Sequence, residues 1–168
     1  LENIISGEVL VQNEMMSQVL GFGRGTMLPE VARSLLQAFA WYDYFGVPQV
    51  RDRQVDSEAA TPAPAGMLEA IASLPAYVQR SHTFVVLAPP CQHVQGNLCN
   101  FGTWLLRGWC NVEFFCSTIA PIKQKQLLIQ GAKNISFTDP IRALHHPPGL
   151  GNFSIEADRK TVADIVVK

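Results

Sequence analysis

Chemistry-capable residues concentrate in one string, RGWCNVEF, at Arg107–Phe114. On a helix, Glu113 shares a face with Trp109, four residues before it, and Cys110, three before it. Phe114 and Phe115 follow. A carboxylate in apolar company loses hydration, and its charged form suffers most, so its pKa rises. Carboxylates perturbed in this way inside clefts are candidates for catalysis. The simpler reading makes Glu113 a helix-surface residue or an ion-pair partner of Arg107, and spacing alone favours it.

Other reactive side chains make weaker patterns. Cys91 and His93, with Cys99, Cys110 and Cys116, offer zinc ligands. Structural zinc takes two close ligand pairs, each with roughly two to four residues between its members. This chain has one close pair with a single residue between. Cys110 and Cys116 fall in an apolar helix, where cysteine behaves as a small hydrophobe. No metal is expected. A hydrolase built on Cys91 or Cys99 with a histidine lacks a local signature. His145–His146 precede Pro147–Pro148 and read as a solvated turn. Gly21, Gly23 and Gly25 lack the preceding strand and third glycine spacing of a dinucleotide fingerprint, and read as a flexible loop. Asn134-Ile-Ser and Asn152-Phe-Ser match glycosylation acceptors, a motif short enough to arise by chance.

These residues need a scaffold, and composition bounds it. The 168 residues fit one domain, and 48% hydrophobic content is enough for a sizeable core, which excludes global disorder. Thirteen Lys and Arg against fourteen Asp and Glu leave a net charge of -1, so no basic field points to nucleic acid. Charged residues are only 16%, which suggests a surface partly covered by a partner or by missing sequence. No apolar run approaches the roughly 18 residues of a spanning helix. Leu1 stands first, which suggests a processed or truncated N-terminus. The sparse cysteines point to free thiols in a reducing compartment, hence the cytoplasm.

The elements follow from periodicity. Residues 1–28 are ill-defined: Glu8–Gln12 fits a strand, while Val9, Met16, Val19 and Leu20 fit a helical stripe. Pro29–Phe39 reads as a helix, with proline at its start and Val31, Leu35 and Phe39 every four residues. Aromatic-rich Phe39–Phe45 reads as a buried strand. Residues 49–65 form a polar, proline-bearing loop insertion. Met67–Arg80 is a helix that Pro75 should kink or split. Thr83–Ala88 is an apolar run, as in a parallel strand covered on both faces. Gly108–Thr118 is a helix, Leu127–Ile129 a short strand, and Thr161–Val167 a last helix or strand. Alternating helices and strands imply an α/β domain with right-handed crossovers and a mostly parallel sheet. Ligands then bind outside the carboxyl ends of the strands, here near Asp43–Gln49, Ala88–His93 and Gly131–Asn134.

Three strings carry a resemblance: WYDYFGVPQ (Trp41–Gln49), AIASLPAYVQRSHTFVVLAPP (Ala70–Pro90) and RGWCNVEF. Together they resemble the TIR (Toll/interleukin receptor) superfamily, most of all a TIR-like group known from protists. The likeness is strongest over residues 29–118 and looser over 119–168. It implies a TIR-like, flavodoxin-type open parallel sheet at 29–168 with helices on both faces, its first strand missing or degenerate. It further implies an NAD+ glycohydrolase that cleaves the nicotinamide–ribose bond in intracellular signalling, with Glu113 as the catalytic carboxylate. NAD+ would be substrate, not cofactor. Trp109, Cys110, Pro48, Gln49 and Pro89 would line the substrate site. The alternative it implies is a non-catalytic module that binds itself or other TIR-like domains.

Overall fold

The computed structural model describes residues 1–14, 18–19, 26–47 and 65–166. In chain order the elements are α1 (Glu2–Ile5), β1 (Gln12–Asn13), α2 (Pro29–Leu35), α3 (Asp43–Gly46), α4 (Met67–Arg80), β2 (Thr83–Leu87), β3 (Cys91–Gln92) and β4 (Leu98–Cys99). They continue with α5 (Phe101–Leu105), α6 (Gly108–Ile119), β5 (Lys125–Gly131), β6 (Asn134–Phe137), α7 (Ile141–His145) and α8 (Asp158–Val166). This is an α/β arrangement. The main sheet has the order β1-β6-β5-β2, and β3 pairs β4 in a separate ribbon.

The sheet is mixed. β2 runs parallel to β5 with Thr83 opposite Lys125, and β1 runs parallel to β6. β5 and β6, however, form an antiparallel hairpin that turns between Gly131 and Asn134. The expectation of a mostly parallel sheet therefore needs correction at β6. Its four residues mix Asn and Ser with two apolar residues, too weak a strand signal to separate it from a loop.

Among the described residues β5 is internal to the sheet and β2 lies at an edge. That position decides their burial. Gln126, Leu127 and Leu128 are all buried, whereas Val85 is 45% and Leu87 63% exposed. The expected cover on both faces of Thr83–Ala88 holds only for the side of Phe84 and Val86, which pack with Phe101, Phe114 and Leu128. Helices lie on both sides of the sheet. Ile4, Val9, Val11, Met27 and Ala32 meet Leu127 and Phe137 on one face. Leu105 and Phe114 meet Val86 and Leu128 on the other.

A third cluster lies on the far side of α6, where Val112 and Cys116 meet Leu74 and Val78 of α4 and Val162 of α8. Helical residues are spaced about 100° apart. Val112 and Phe114 therefore point in nearly opposite directions, one to α4 and α8, the other to the sheet. Glu113 projects sideways between them. This places α6 in the middle of the layered structure and its carboxylate at a seam.

Three further readings are corrected. Phe39–Phe45 is not a buried strand: Phe39, Tyr42 and Phe45 are exposed, and Asp43–Gly46 is the short helix α3. Its rings pack locally. Trp41 stacks on Tyr77 of α4 with centroids 5.3 Å apart, and Tyr42 meets Phe45 edge-on. A Cβ at Gly46 would lie 2.6 Å from Trp41 Nε1, so this close approach requires glycine. The helix from Pro29 ends at Leu35 rather than Phe39, because the cluster that Val31 and Leu35 pack against stops there. Pro75 does not split α4, which continues through it as one helix, since burial of Leu74 and Val78 holds both halves against α6. The final element is a helix, α8. The 49–65 loop lies outside the described residues except for Ala65.

Candidate active site

α6 begins at Gly108, after a parallel bridge between Arg107 and Asn152. Gly108 N–H donates to the Asn152 carbonyl at 2.8 Å, and Asn152 N–H donates to the Leu106 carbonyl at 2.6 Å. Asn111, buried in the first turns, donates through Nδ2 to the Pro147 carbonyl at 3.4 Å. The 147–153 segment is thus sewn onto the start of the helix that carries Glu113.

Glu113 is half-buried. Desolvation pushes its carboxyl up to about 8; the nearby Asp43 carboxylate pushes the same way, and the Arg107 guanidinium pulls it back. Of the two readings, the carboxylate desolvated by apolar company fits this burial, and the surface or ion-pair reading that spacing alone favours does not. Among the described residues the only ion pairs are Arg142–Glu14 and Arg159–Glu156, so Glu113 is not the ion-pair partner of Arg107. Cys110 shares the seam. Burial pushes its thiol up to about 12, with Arg107 lowering it and Glu113 and Asp43 raising it. Cys116, one turn beyond, is pushed up to about 11, mainly by burial and then by Glu113. These thiols are poor sources of thiolate and act as apolar walls.

The structure therefore brings together Asp43, Arg107, Cys110 and Glu113. Asp43 is the first residue of α3, and its charge reaches both Cys110 and Glu113. Sequence reasoning missed it as a site residue. It lies in the Trp41–Gln49 string, but nothing local distinguishes it from any first-turn acid. Trp109 is half-buried in the third cluster, edge-on to Phe153 at 6.4 Å, and its indole N–H donates to Asp158 Oδ2 at 3.1 Å. Its ring is thus directed towards α8. Pro89 is exposed, two residues beyond the end of β2. Pro48 and Gln49 lie outside the described residues.

A carboxyl that is protonated near neutrality, set beside a second carboxylate and a guanidinium, can donate a hydrogen bond in its neutral form. Once ionised, it can stabilise a nearby positive charge in a setting where hydration competes weakly. A cationic ligand would pull its pKa back down and hold it ionised.

Away from this seam, a cavity of about 180 Å³ is lined by Glu14, Asp139, Ile141, Arg142 and His145. Glu14 Oε2 accepts from Arg142 Nε at 2.7 Å, and Asp139 Oδ1 accepts from the Ile141 N–H at 3.0 Å. His145 ends helix α7 instead of sitting in a turn. No group of three or more His, Cys, Asp or Glu among the described residues is arranged to hold a metal. No helix among them is long and apolar enough to cross a membrane.

The class that fold and site define is an α/β protein with a mixed four-stranded sheet and a desolvated glutamate on its central helix. No family model, curated protein or solved structure matches the chain.

Proposed function

We propose that this chain is a TIR-like NAD+ glycohydrolase with a flavodoxin-type fold, acting in intracellular signalling. Glu113 is the catalytic carboxylate. One observation carries the reading: Glu113 is half-buried on the central helix, its carboxyl pushed up to about 8, with Asp43 and Arg107 close by. Breaking the nicotinamide–ribose bond develops positive charge on the ribose, an oxocarbenium-like state. A carboxylate alongside stabilises that charge and positions the ribose hydroxyls or water. Nicotinamide leaves readily, so no general acid is needed. The positive nicotinamide ring favours the ionised form of Glu113 on binding. Cys110 shapes the wall beside it, and Trp109 holds α6 in place. Pro48, Gln49 and Pro89 lie at the ends of two strings of the resemblance and stand as ligand contacts on that ground alone.

The test is nicotinamide release from NAD+ by the purified chain at high protein concentration, with Glu113→Gln beside it. Glutamine keeps the shape and removes the charge. We expect release by the wild type and a loss on the order of 100-fold or more in the variant. The wild-type kcat/KM should rise as pH climbs towards about 8, because only the ionised carboxylate works. Absence of release from both folded proteins sinks the hydrolase reading. It favours the second reading, a module that binds itself or other TIR-like domains. What supports that reading is the exposed apolar face of edge strand β2 at Val85 and Leu87.

A further inference from the structure

The β3–β4 ribbon sets Cys91 directly opposite Cys99 in antiparallel register. Directly opposed residues in such a pair have Cα atoms about 4.5–5.5 Å apart. A disulfide spans roughly 4.4–6.8 Å between Cα atoms. Opposed side chains also leave the ribbon on the same face. The turn that enforces this register is well held. His93 N–H donates to the Asn97 carbonyl and Gly96 N–H to the His93 carbonyl, both at 2.8 Å. Gly96 adopts φ +85°, in the left-handed region that glycine enters without strain. Both cysteines are free thiols, Cys91 exposed and Cys99 half-buried. Cys110 and Cys116, by contrast, sit in the apolar surroundings of α6, where burial suppresses their thiolates.

We propose that Cys91 and Cys99 are a reversible dithiol–disulfide pair, which makes the hairpin between β2 and α5 a site of redox modification. A peroxide serves as the oxidant. The Cys91 thiolate attacks one peroxide oxygen, the O–O bond breaks, and the departing hydroxide is protonated to water. This leaves a sulfenic acid on Cys91. The Cys99 thiolate then attacks the Cys91 sulfur. The S–S bond forms, the S–O bond breaks, and a second water leaves. Two electrons pass from the two sulfurs to the peroxide, and the two thiol hydrogens end in the two waters. A dithiol reductant reverses the step by exchange. The bond would close the ribbon immediately before Asn100, whose side chain caps α5 in a reciprocal pair of hydrogen bonds with Thr103.

The experiment treats the folded full chain with hydrogen peroxide, alkylates the remaining thiols in denaturant and digests with trypsin. Cleavage after Arg80, Arg107 and Lys123 leaves Cys91 and Cys99 together in peptide 81–107, and Cys110 and Cys116 in peptide 108–123. Peptide 81–107 should lose two hydrogens and take no alkyl group, while 108–123 is alkylated at both cysteines. Dithiothreitol should restore full alkylation. The reaction should run about tenfold or more faster in the folded chain than in urea, because the register aligns the sulfurs beforehand. Cys99→Ser should instead stop at a sulfenic acid that dimedone traps. Full alkylation of peptide 81–107 after peroxide would overturn the proposal. So would cross-linking between chains through Cys91, or equal rates in folded and unfolded protein.

Discussion

Replacing Glu113 by glutamine changes the pH dependence of stability as well as the chemistry. The folded carboxyl sits near 8 against an ordinary value of 4.5. Below 4.5 both folded and unfolded chains hold the proton, and Glu113 contributes no penalty. As pH rises above 4.5 the unfolded chain releases the proton and the folded chain keeps it. Folding is then progressively disfavoured until the folded group ionises near 8, where the loss levels off. At about 1.4 kcal/mol per pH unit, the full gap sets a ceiling of about 5 kcal/mol. Glu113 retains some contact with water, which lowers that ceiling, and we expect a loss of about 1–3 kcal/mol across the window. Glutamine cannot ionise and escapes the penalty. Urea unfolding of both proteins at pH 5, 6.5 and 8 reads the effect. The two should be close in stability at pH 5, and Glu113→Gln the more stable at pH 8. If the wild type and the variant lose stability in parallel over this range, the carboxyl is not desolvated and the reasoning fails.

Two other predictions follow from the same geometry. Asp43→Asn should lower the midpoint of Glu113 and Arg107→Gln should raise it, read by carbon NMR titration of the glutamate carboxyl; unmoved midpoints would separate these groups from the site. Phe114→Ala should cost about 3–5 kcal/mol in urea unfolding, since the fully buried ring meets Phe84, Phe101 and Trp104 at centroid distances of 6.5, 6.2 and 6.3 Å; a loss under about 1 kcal/mol would mean the site collapses around the void.

Much of the scaffold was legible because its signals are local. Met67–Arg80 repeats apolar residues at helical spacing, and the helix forms over that span. TFVVL is β-branched, apolar and closed by two prolines, and it forms a strand. The Arg107–Phe114 string places Glu113 among apolar neighbours on its own helix, which raised desolvation as one reading, but spacing alone favoured a surface residue or ion-pair partner, and only the fold decided between them. Burial at the level of the sheet was not legible. Val85 and Leu87 look identical to core residues in sequence, and only the edge position of β2 exposes them. The aromatics of Phe39–Phe45 were misread for the complementary reason. Strand propensity describes a half-buried pleated surface, and here no such surface is offered to them.

Buried polar groups mark the same boundary. Gln126 lies in an apolar strand and looks like an interruption. In the fold its Nε2 donates to Ser117 Oγ and Thr118 Oγ1 at 3.0 Å, and its Oε1 accepts from Thr138 Oγ1 at 3.0 Å, which ties α6 to the sheet. No spacing rule could have announced those partners. The sequence by itself determined the helical and strand periods, the apolar flanks of Glu113 and the absence of a strong charge field, because each depends on neighbours within a few residues. The tertiary structure alone decided strand direction, which strand stands at the edge, and that Asp43, about seventy residues upstream, shares the seam with Glu113. Pairing register and charge proximity arise between segments distant in the chain, where long-range packing, not local propensity, determines the lowest free energy.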